Sequence, residues 1–274
     1  MTLAADVALA VGHVDINRPQ GIAQTIRPAL RDGQTSMPTI RDLQVSLPKT
    51  SPWGRVARAP LKLIPSNVPV RIVTGPLKGS KWITGAGTNG CWLGTYELAT
   101  QRRMLKEARP NDIAFDLGAN HGFFAMLLAR STKSVIAVEP FAPNVAILKR
   151  HLQINQLTNC VVVQAAVGLE TGTAFFAQGI NHAMGRICGE GEIEVNLVSL
   201  EELVNRFGVA SIIKIDVEGA ELEVLEGGRN YLKEVHPKLF LSTHGNQVHT
   251  QSSKLLRSLG FDVQEVSRCE MFAR

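Results

Sequence analysis

FDLGANHG, residues 115–122, is the stretch of sequence that decides the fold. A mostly apolar run, Ile113–Leu117, leads into it and a second apolar segment follows. This pattern predicts a buried strand, a tight glycine turn and a helix over 123–130. The small residues of such a turn let the backbone come close to a ligand, and the free N–H groups of the helix start face that ligand. The stretch therefore predicts a binding site at the carboxyl end of a strand.

Two acidic residues flank this turn at the ends of neighbouring strands. Asp116 lies just before the glycines, where a carboxylate suits an ammonium group of a ligand. Glu139 follows the apolar strand 134–138, 23 residues after Asp116. A carboxylate about 20 residues past a glycine turn accepts hydrogen bonds from ribose hydroxyls. Because the glycine spacing differs from G-x-G-x-x-G, the two features favour an adenosine ligand and weaken the case for a nicotinamide dinucleotide.

A third group of polar residues follows two later strands. IKIDVEGAE, residues 213–221, places Asp216 among apolar residues at a strand end. A solvated helix start accounts for Glu218 and Glu221. His244 ends the next strand in the sequence STHG, where a structural role and a catalytic role are equally open. Since the carboxyl ends of parallel strands meet at one edge of a sheet, we expect Asp216 and His244 to face the ligand site.

Strand and helix patterns alternate along residues 112–274. The predicted strands are 113–117, 134–138, 160–166, 211–215, 238–243, 261–266 and 270–273. The predicted helices are 123–130, 143–155, 221–232 and 252–259, with a further helix opened by an S-x-x-E capping box at Ser199 and ending near Gly208. A hairpin over 68–81 precedes them, and the irregular stretch 168–198 contains short strand-like pieces. The alternation predicts an α/β fold whose mainly parallel sheet is covered by helices on both faces.

The composition is that of a globular protein. Apolar residues make up 45% of the 274 residues, which excludes a wholly disordered chain. No run approaches the ~18 apolar residues of a membrane-spanning helix, and the first ten residues lack the basic start of a secretory signal. The four cysteines have neither zinc-finger nor redox-motif spacing. We therefore expect reduced thiols and a cytoplasmic location.

The front of the chain differs from the rest in charge and in proline content. Residues 1–110 carry 15 Lys and Arg against 6 Asp and Glu, whereas residues 111–274 carry 14 against 18. Nine of the 13 prolines lie within residues 1–80, most of which show no helical or strand period. We therefore predict a loosely ordered, basic, proline-rich arm over 1–67 and a folded domain over 68–274. The scattered charges favour a solvated tail, although peripheral contact with an anionic membrane stays open.

Taken together, these motifs resemble those of a known family. FDLGANHGFF, VEP and IKIDVEGAELEVLEGG, with GCWLGTYE upstream, are similar to the motif set of the FkbM-type S-adenosylmethionine-dependent methyltransferases over about residues 68–266. The resemblance implies a class I methyltransferase fold, a Rossmann-like sheet of seven strands with one antiparallel strand near its edge. It also implies that S-adenosylmethionine is the cofactor. The implied acceptor is a hydroxyl group on a sugar, a glycolipid or polysaccharide, or a polyketide-type natural product.

The resemblance also implies roles for individual residues. The loop that would hold the methionine part of S-adenosylmethionine consists of Asp116, Gly118, Asn120 and Gly122. Glu139 would bind the ribose, and Asp216 would contact the cofactor beside the methyl-transfer centre. The chain departs from the family pattern at Ser242, where many members have an acidic residue.

Transfer of a methyl group to a hydroxyl requires that the hydroxyl proton be removed. His244, with an ordinary pKa near ~6.5, is our candidate for the general base. Asp216 is the alternative base, or it orients His244 or the cofactor. We predict no metal, because Asp216 and Glu218 alone are too few ligands to specify one.

Three other functions stay open. A nucleic-acid methyltransferase would suit the basic arm, but the chain lacks the N/D-P-P-aromatic turn of base amino methylation and the Pro-Cys nucleophile of C5 methylation. The complete set of cofactor residues argues against a methyltransferase-like protein that binds its cofactor or partners without catalysis. An NAD-dependent enzyme is opposed by the glycine spacing. No pattern names the acceptor or the oligomeric state, and we expect the acceptor pocket to be built by 86–97, 168–198 and 244–250.

Overall fold

The computed structural model describes residues 65–178, 185–188 and 193–274. Residues Ser66–Arg274 form one compact unit, and all the elements named below lie in it. The arm predicted over 1–67 falls outside the described residues, apart from its last three positions.

Thirteen strands and eight helices make up the described part of the chain. The strands are β1 (Pro69–Arg71), β2 (Lys81–Ile83), β3 (Ile113–Leu117), β4 (Ser134–Val138), β5 (Cys160–Val163), β6 (Ala166–Gly168), β7 (Gly172–Gln178), β8 (Gly185–Cys188), β9 (Ile193–Ser199), β10 (Ile212–Ile215), β11 (Lys238–Ser242), β12 (Val263–Glu265) and β13 (Glu270–Ala273). The helices are α1 (Asn89–Leu93), α2 (Leu98–Glu107), α3 (Phe123–Ala129), α4 (Ala142–Ile154), α5 (Leu200–Phe207), α6 (Glu221–Gly227), α7 (Arg229–Val235) and α8 (Asn246–Ser258). None of these described helices is both long enough and apolar enough to cross a membrane.

The main sheet has seven strands in the order β12-β13-β11-β10-β3-β4-β5. β10 pairs in parallel with β3 and β11, and β4 pairs in parallel with β3 and β5. β13 is antiparallel to both of its neighbours, β11 and β12, and lies next to the edge of the sheet. This strand order, with its single antiparallel strand, is that of the class I methyltransferase fold and confirms the fold predicted from the resemblance.

The central strands of this sheet are buried on both faces. Nearly every side chain of β3, β4, β10 and β11 is buried. Successive side chains of a strand point to opposite faces, so both faces must be covered. The alternation of strands and helices along the sequence predicts this arrangement. One apolar cluster, which includes Phe115, Ile213 and Leu239, packs on one face of the sheet, and Ala114, Ile212 and Phe240 are buried on the other.

Three elements differ from the sequence prediction. The predicted strand 160–166 is divided into β5 of the main sheet and β6, which pairs with β9 in a second sheet of order β6-β9-β7-β8. A continuous apolar run does not reveal such a change of sheet. The predicted helix 221–232 is divided into α6 and α7 at Gly227 and Gly228. Both positions require glycine, because a side chain at 227 would collide with the Leu169 carbonyl and one at 228 with the Leu200 side chain. The last predicted helix, 252–259, begins earlier, at Asn246, through a polar turn without an apolar period.

The predicted hairpin is present as β1 and β2, which pair antiparallel. His151 of α4 fastens it to the main unit. The N–H of Ile83 donates to His151 Nε2 at 2.9 Å, His151 Nδ1 lies 2.7 Å from the carbonyl oxygen of His121, and the ring stacks on Trp82 at 3.9 Å. One buried imidazole therefore places the hairpin beside the glycine turn.

Candidate functional site

A cavity of about 710 Å³ lies at the carboxyl ends of β3, β4 and β10. Small-molecule sites are typically ~300–1,000 Å³ in volume. Five of the six residues predicted to bind the cofactor line this cavity, namely Asp116, Gly118, Asn120, Glu139 and Asp216. The sixth, Gly122, lies behind them, where a side chain would collide with Leu148.

The glycine turn brings the ends of these strands together. Gly118 has a φ of +81°, and a side chain there would collide with the backbone carbonyl oxygen of Asp216. Glycine alone adopts this backbone conformation without strain and permits so close an approach. Asn120, also at positive φ (48°), donates its backbone N–H to Glu139 Oε2 at 2.8 Å. The turn therefore arranges three strand ends around one cavity.

Asp116 presents a buried carboxylate with one unpaired oxygen. The residue is 2% exposed, and its Oδ2 has no hydrogen-bond partner. Burial raises the pKa of this carboxyl group to about 7, although the nearby Lys214 ammonium opposes the shift. A buried carboxylate oxygen without a partner is unfavourable in free energy. A cationic group of a ligand would supply that partner, which is the role that the sequence predicts for Asp116.

Glu139 is held by the protein more firmly than the sequence predicts. Its Oε2 accepts the Asn120 N–H, and its Oε1 accepts from the backbone N–H of Phe141 and from Asn144 Nδ2, both at 3.1 Å. The two oxygens of a carboxylate offer about four acceptor positions, so capacity for a further donor remains. Glu139 therefore joins the glycine turn to the start of α4 as well as lining the cavity.

Lys214 is a buried cation directly beneath the site. Its Nζ donates to Asp216 Oδ2 at 3.0 Å and to Ser242 Oγ at 2.8 Å, and it lies 5.1 Å from the ring centroid of Phe124. Burial acts to lower the pKa of Lys214, but the carboxylates around it, led by Asp216, outweigh burial and raise the pKa. The ammonium thereby fixes the Asp216 carboxylate and directs its other oxygen, Oδ1, towards His244.

His244 lies among three carboxylates, two of which, those of Asp216 and Glu218, line the cavity, whereas His244 itself is not one of the described lining residues. Its Nδ1 is 2.8 Å from Glu221 Oε1, and its Nε2 is 3.2 Å from Glu218 Oε2 and 3.8 Å from Asp216 Oδ1. The two predicted catalytic residues, Asp216 and His244, are therefore neighbours across the ends of β10 and β11.

These carboxylates change the protonation expected for His244. The hydrogen bond with Glu221 raises its pKa most, burial opposes the rise, and Glu218 and Asp216 add to it, which brings the pKa to about 9. The expectation of an ordinary pKa is therefore wrong for the folded chain, and the ring carries a proton at neutral pH. The sequence interpretation missed this because it assigned Glu218 and Glu221 to a solvated helix start, whereas Glu221 is 0% exposed.

His244 adds a third potential metal ligand to Asp216 and Glu218. Asp216, Glu218 and His244 each offer one ligand atom, and these atoms lie within 4.8 Å of one another. Three ligands would be enough for a divalent cation. The ion pairs of His244 with the two carboxylates already account for the arrangement, so we assign no metal to it.

Residues that precede β3 in the chain also line the cavity. Trp82 of β2 and Thr88, Cys91 and Tyr96 around α1 are among them. The described lining residues include none from 168–198 or 244–250, and which segments build the acceptor pocket stays a prediction. His121 also lines the cavity, and burial lowers its pKa. The signal that could have identified His121 is its place inside the glycine turn, whereas Trp82 carries no local signal.

The sequence that forms these strand ends matches a known family of proteins. Residues 116–263, more than half of the chain, match the family model of the Methyltransferase FkbM domain. The chain belongs to the FkbM methyltransferase family. The match covers the glycine turn, Glu139, Asp216 and His244.

Proteins similar to this chain include two curated relatives and one solved structure. The hexuronic acid methyltransferase AglP of Haloferax volcanii is 30% identical over 179 residues, which cover 62% of this chain and 73% of AglP. The 31-O-demethyl-FK506 methyltransferase FkbM of Streptomyces tacrolimicus is 29% identical over 174 residues, which cover 48% of this chain and 66% of the relative. The crystal structure of the methyltransferase FkbM from Methylobacillus flagellatus KT has a TM-score of 0.45 and 16% identity, and the match covers 69% of this chain and 56% of that one.

Proposed function

We propose that this member of the FkbM methyltransferase family uses S-adenosylmethionine to methylate a hydroxyl group on a sugar, on a glycolipid or polysaccharide, or on a polyketide-type natural product. The observation that carries the proposal is the buried, unpaired Oδ2 of Asp116 in a cavity that Asp216 also lines. The relatives support the acceptor class, since one is named for a hexuronic acid and the other for a 31-O-demethyl compound. A cytoplasmic setting is part of the proposal and is supported by the free thiols of Cys91, Cys160 and Cys269.

The residues of the cavity fit the parts of this cofactor. Asp116 would pair with the ammonium group, and the remaining acceptor capacity of Glu139 would serve a ribose hydroxyl. The glycine turn would let the backbone approach closely. When bound, S-adenosylmethionine supplies an electrophilic methyl group on a positively charged sulfur. Asp216 would lie beside that methyl group, between the cofactor and His244.

His244 is the proposed general base for the acceptor hydroxyl. As the new O–C bond forms and the S–C bond breaks, the hydroxyl proton would pass to Nε2 of a neutral His244. With a pKa of about 9, about 1% of the rings are neutral at pH 7, and those that are neutral are strong bases. Asp216 would orient His244 and the cofactor, because Lys214 holds its carboxylate in place. Such positioning, which aligns oxygen, methyl and sulfur, can supply ~7–11 kcal/mol of the barrier.

Transfer of a labelled methyl group tests the proposal. The protein is incubated with methyl-labelled S-adenosylmethionine and an extract of its source cell, and the labelled product is identified. We expect the label in an O-methyl group of a sugar or polyketide-type molecule. Label in nucleic acid would contradict the proposed acceptor. Calorimetry with S-adenosylmethionine and with NAD tests the cofactor separately, and binding of NAD alone would contradict that assignment.

A further inference from the structure

We propose that Glu221 is the positioning residue of the transfer site, whose buried carboxylate holds the His244 ring so that Nε2 faces the acceptor hydroxyl. The inference deepens the proposed function and rests on it. The sequence patterns assign Glu221 only to a solvated helix start, and the family match gives it no role.

The burial of Glu221 is not explained by its place at the start of α6. Acidic residues are favourable in the first turn of a helix, but they are usually solvated there. Glu223, in the same turn, is exposed and meets that preference. Glu221 is fully buried, its Oε1 accepts the Gly219 N–H at 2.9 Å, and its Oε2 has no hydrogen-bond partner. Burying a carboxylate is costly in free energy unless it is paired, and the imidazole of His244 is its ionisable partner.

The two ring nitrogens of His244 have different surroundings. Nδ1 faces the protein interior, 2.8 Å from Glu221 Oε1. Nε2 faces the carboxylates of Glu218 and Asp216, which both line the cavity. A carboxylate on one nitrogen of a histidine base fixes the orientation and the tautomer of the ring. Glu221 therefore keeps the remaining proton on Nδ1 and leaves Nε2 to receive a proton from the cavity side.

Four charged groups surround the imidazole. Asp216 and Glu218 follow β10, Glu221 begins α6, and Lys214 lies behind Asp216 on β10. Among the groups that raise the pKa of His244, the hydrogen bond with Glu221 contributes most. A glutamine at 221 keeps the size and the acceptor oxygen but carries no charge, so it separates stabilisation of the imidazolium from simple packing.

The kinetic test compares Glu221→Gln with Glu223→Gln in the full chain. Both variants remove one negative charge from the first turn of α6, but only the first removes it from His244. We expect Glu221→Gln to move the inflection of kcat to lower pH and to lower the limiting kcat at least about tenfold, with KM little changed. Glu223→Gln should keep the parent profile. Identical pH profiles for the two variants would overturn the proposal.

A spectroscopic test does not depend on methyl transfer. In full-length protein with isotope-labelled histidine, NMR resolves the seven imidazoles, and His244→Gln identifies the signal of His244. We expect His244 to titrate near pH 9 in the parent and at lower pH in Glu221→Gln, with the remaining proton on Nδ1 above the transition. A remaining proton on Nε2 in the parent would overturn the inference even if Glu221→Gln did not fold. If the NMR result holds and no methyl transfer is found, the proposed function fails and the positioning contact stands.

Discussion

The residues at the ends of β10 and β11 gather an unusual density of charge. The carboxylates of Asp216, Glu218 and Glu221 meet two cations, Lys214 and the protonated His244. Ser242, where many family members have an acidic residue, gives Lys214 a neutral acceptor and so leaves Asp216 as its carboxylate partner. This cluster has an excess of one negative charge, which a sulfonium ligand would compensate.

Asp116→Asn is expected to weaken binding of S-adenosylmethionine. The substitution preserves size but removes the charge that would pair with the ammonium group, and such a charge-assisted contact is worth ~1.5–3 kcal/mol, or roughly 10- to 150-fold in affinity. Calorimetry measures the change. The control ligand is 5′-methylthioadenosine, which lacks the ammonium group and should bind parent and variant equally. An equal loss for both ligands would show that Asp116 acts on the adenosine side or on the fold.

His244→Ala should lower turnover by ~10²–10⁴ and leave cofactor affinity nearly unchanged, because a general base acts on the acceptor hydroxyl alone. Single-turnover rates at saturating cofactor, together with melting curves, measure this. His249→Ala is the matched control, since His249 pairs with Thr243 and Glu265 rather than with the carboxylates around His244. Turnover of His244→Ala within about threefold of the parent, set below the expected ~10² loss, would remove His244 as the base.

At the scale of elements, one side chain joins three separate pieces of the chain. His151 of α4 accepts the N–H of Ile83 from β2 and contacts the carbonyl of His121 in the glycine turn. Burial lowers the pKa of His151 to about 4, although the contact with the His121 carbonyl opposes this. A neutral ring is required because Nε2 accepts a hydrogen bond. The position of the hairpin that closes the cavity therefore depends on the protonation state of this imidazole.

The neutral ring of His151 predicts a specific loss of stability in acid. The pKa of His151 is about 4 when folded, below the ~6.5 of an unfolded histidine, so the unfolded chain takes up the proton first as pH falls. The stabilisation by the neutral His151 ring is fully present above pH ~6.5 and is lost as pH falls to ~4, which lowers the free energy of unfolding by about 3 kcal/mol. Urea unfolding of parent and His151→Gln at several pH values measures it. The variant should lack this component, and equal pH dependence would contradict the assignment.

On the scale of the whole molecule, the described site lies within the compact unit Ser66–Arg274. The composition of the preceding segment, rich in proline and basic residues, predicts that it takes no part in cofactor binding. We expect a fragment of residues 66–274 to fold and to bind S-adenosylmethionine with the affinity of the full chain. Calorimetry on both proteins measures this, and a lower affinity of the fragment would give the arm a part in the site. Binding of the full chain, but not of the fragment, to anionic vesicles would assign the arm a surface role.

Local features of the sequence were enough to predict the sheet and the residues at its strand ends that line the cavity. Asp116, Gly118 and Asn120 adjoin a strand and a helix that the spacing of apolar residues predicts. Glu139 directly follows the next strand in the chain. In a parallel sheet, strand ends meet at one edge, so positions along the chain translate directly into a common site.

The contacts around His244, Lys214 and His151 were decided by the tertiary structure. The pairing of His244 with Glu221, of Lys214 with Ser242, and of His151 with Ile83 joins residues 23 to 68 positions apart in the chain. No period of 2 or 3.6 residues encodes such contacts. An acidic residue in the first turn of a helix has the same sequence signature whether it faces water, as Glu223 does, or lies buried against an imidazole, as Glu221 does. Burial in the folded chain is what distinguishes the two, because it removes the competing water and leaves each carboxylate dependent on its protein partner.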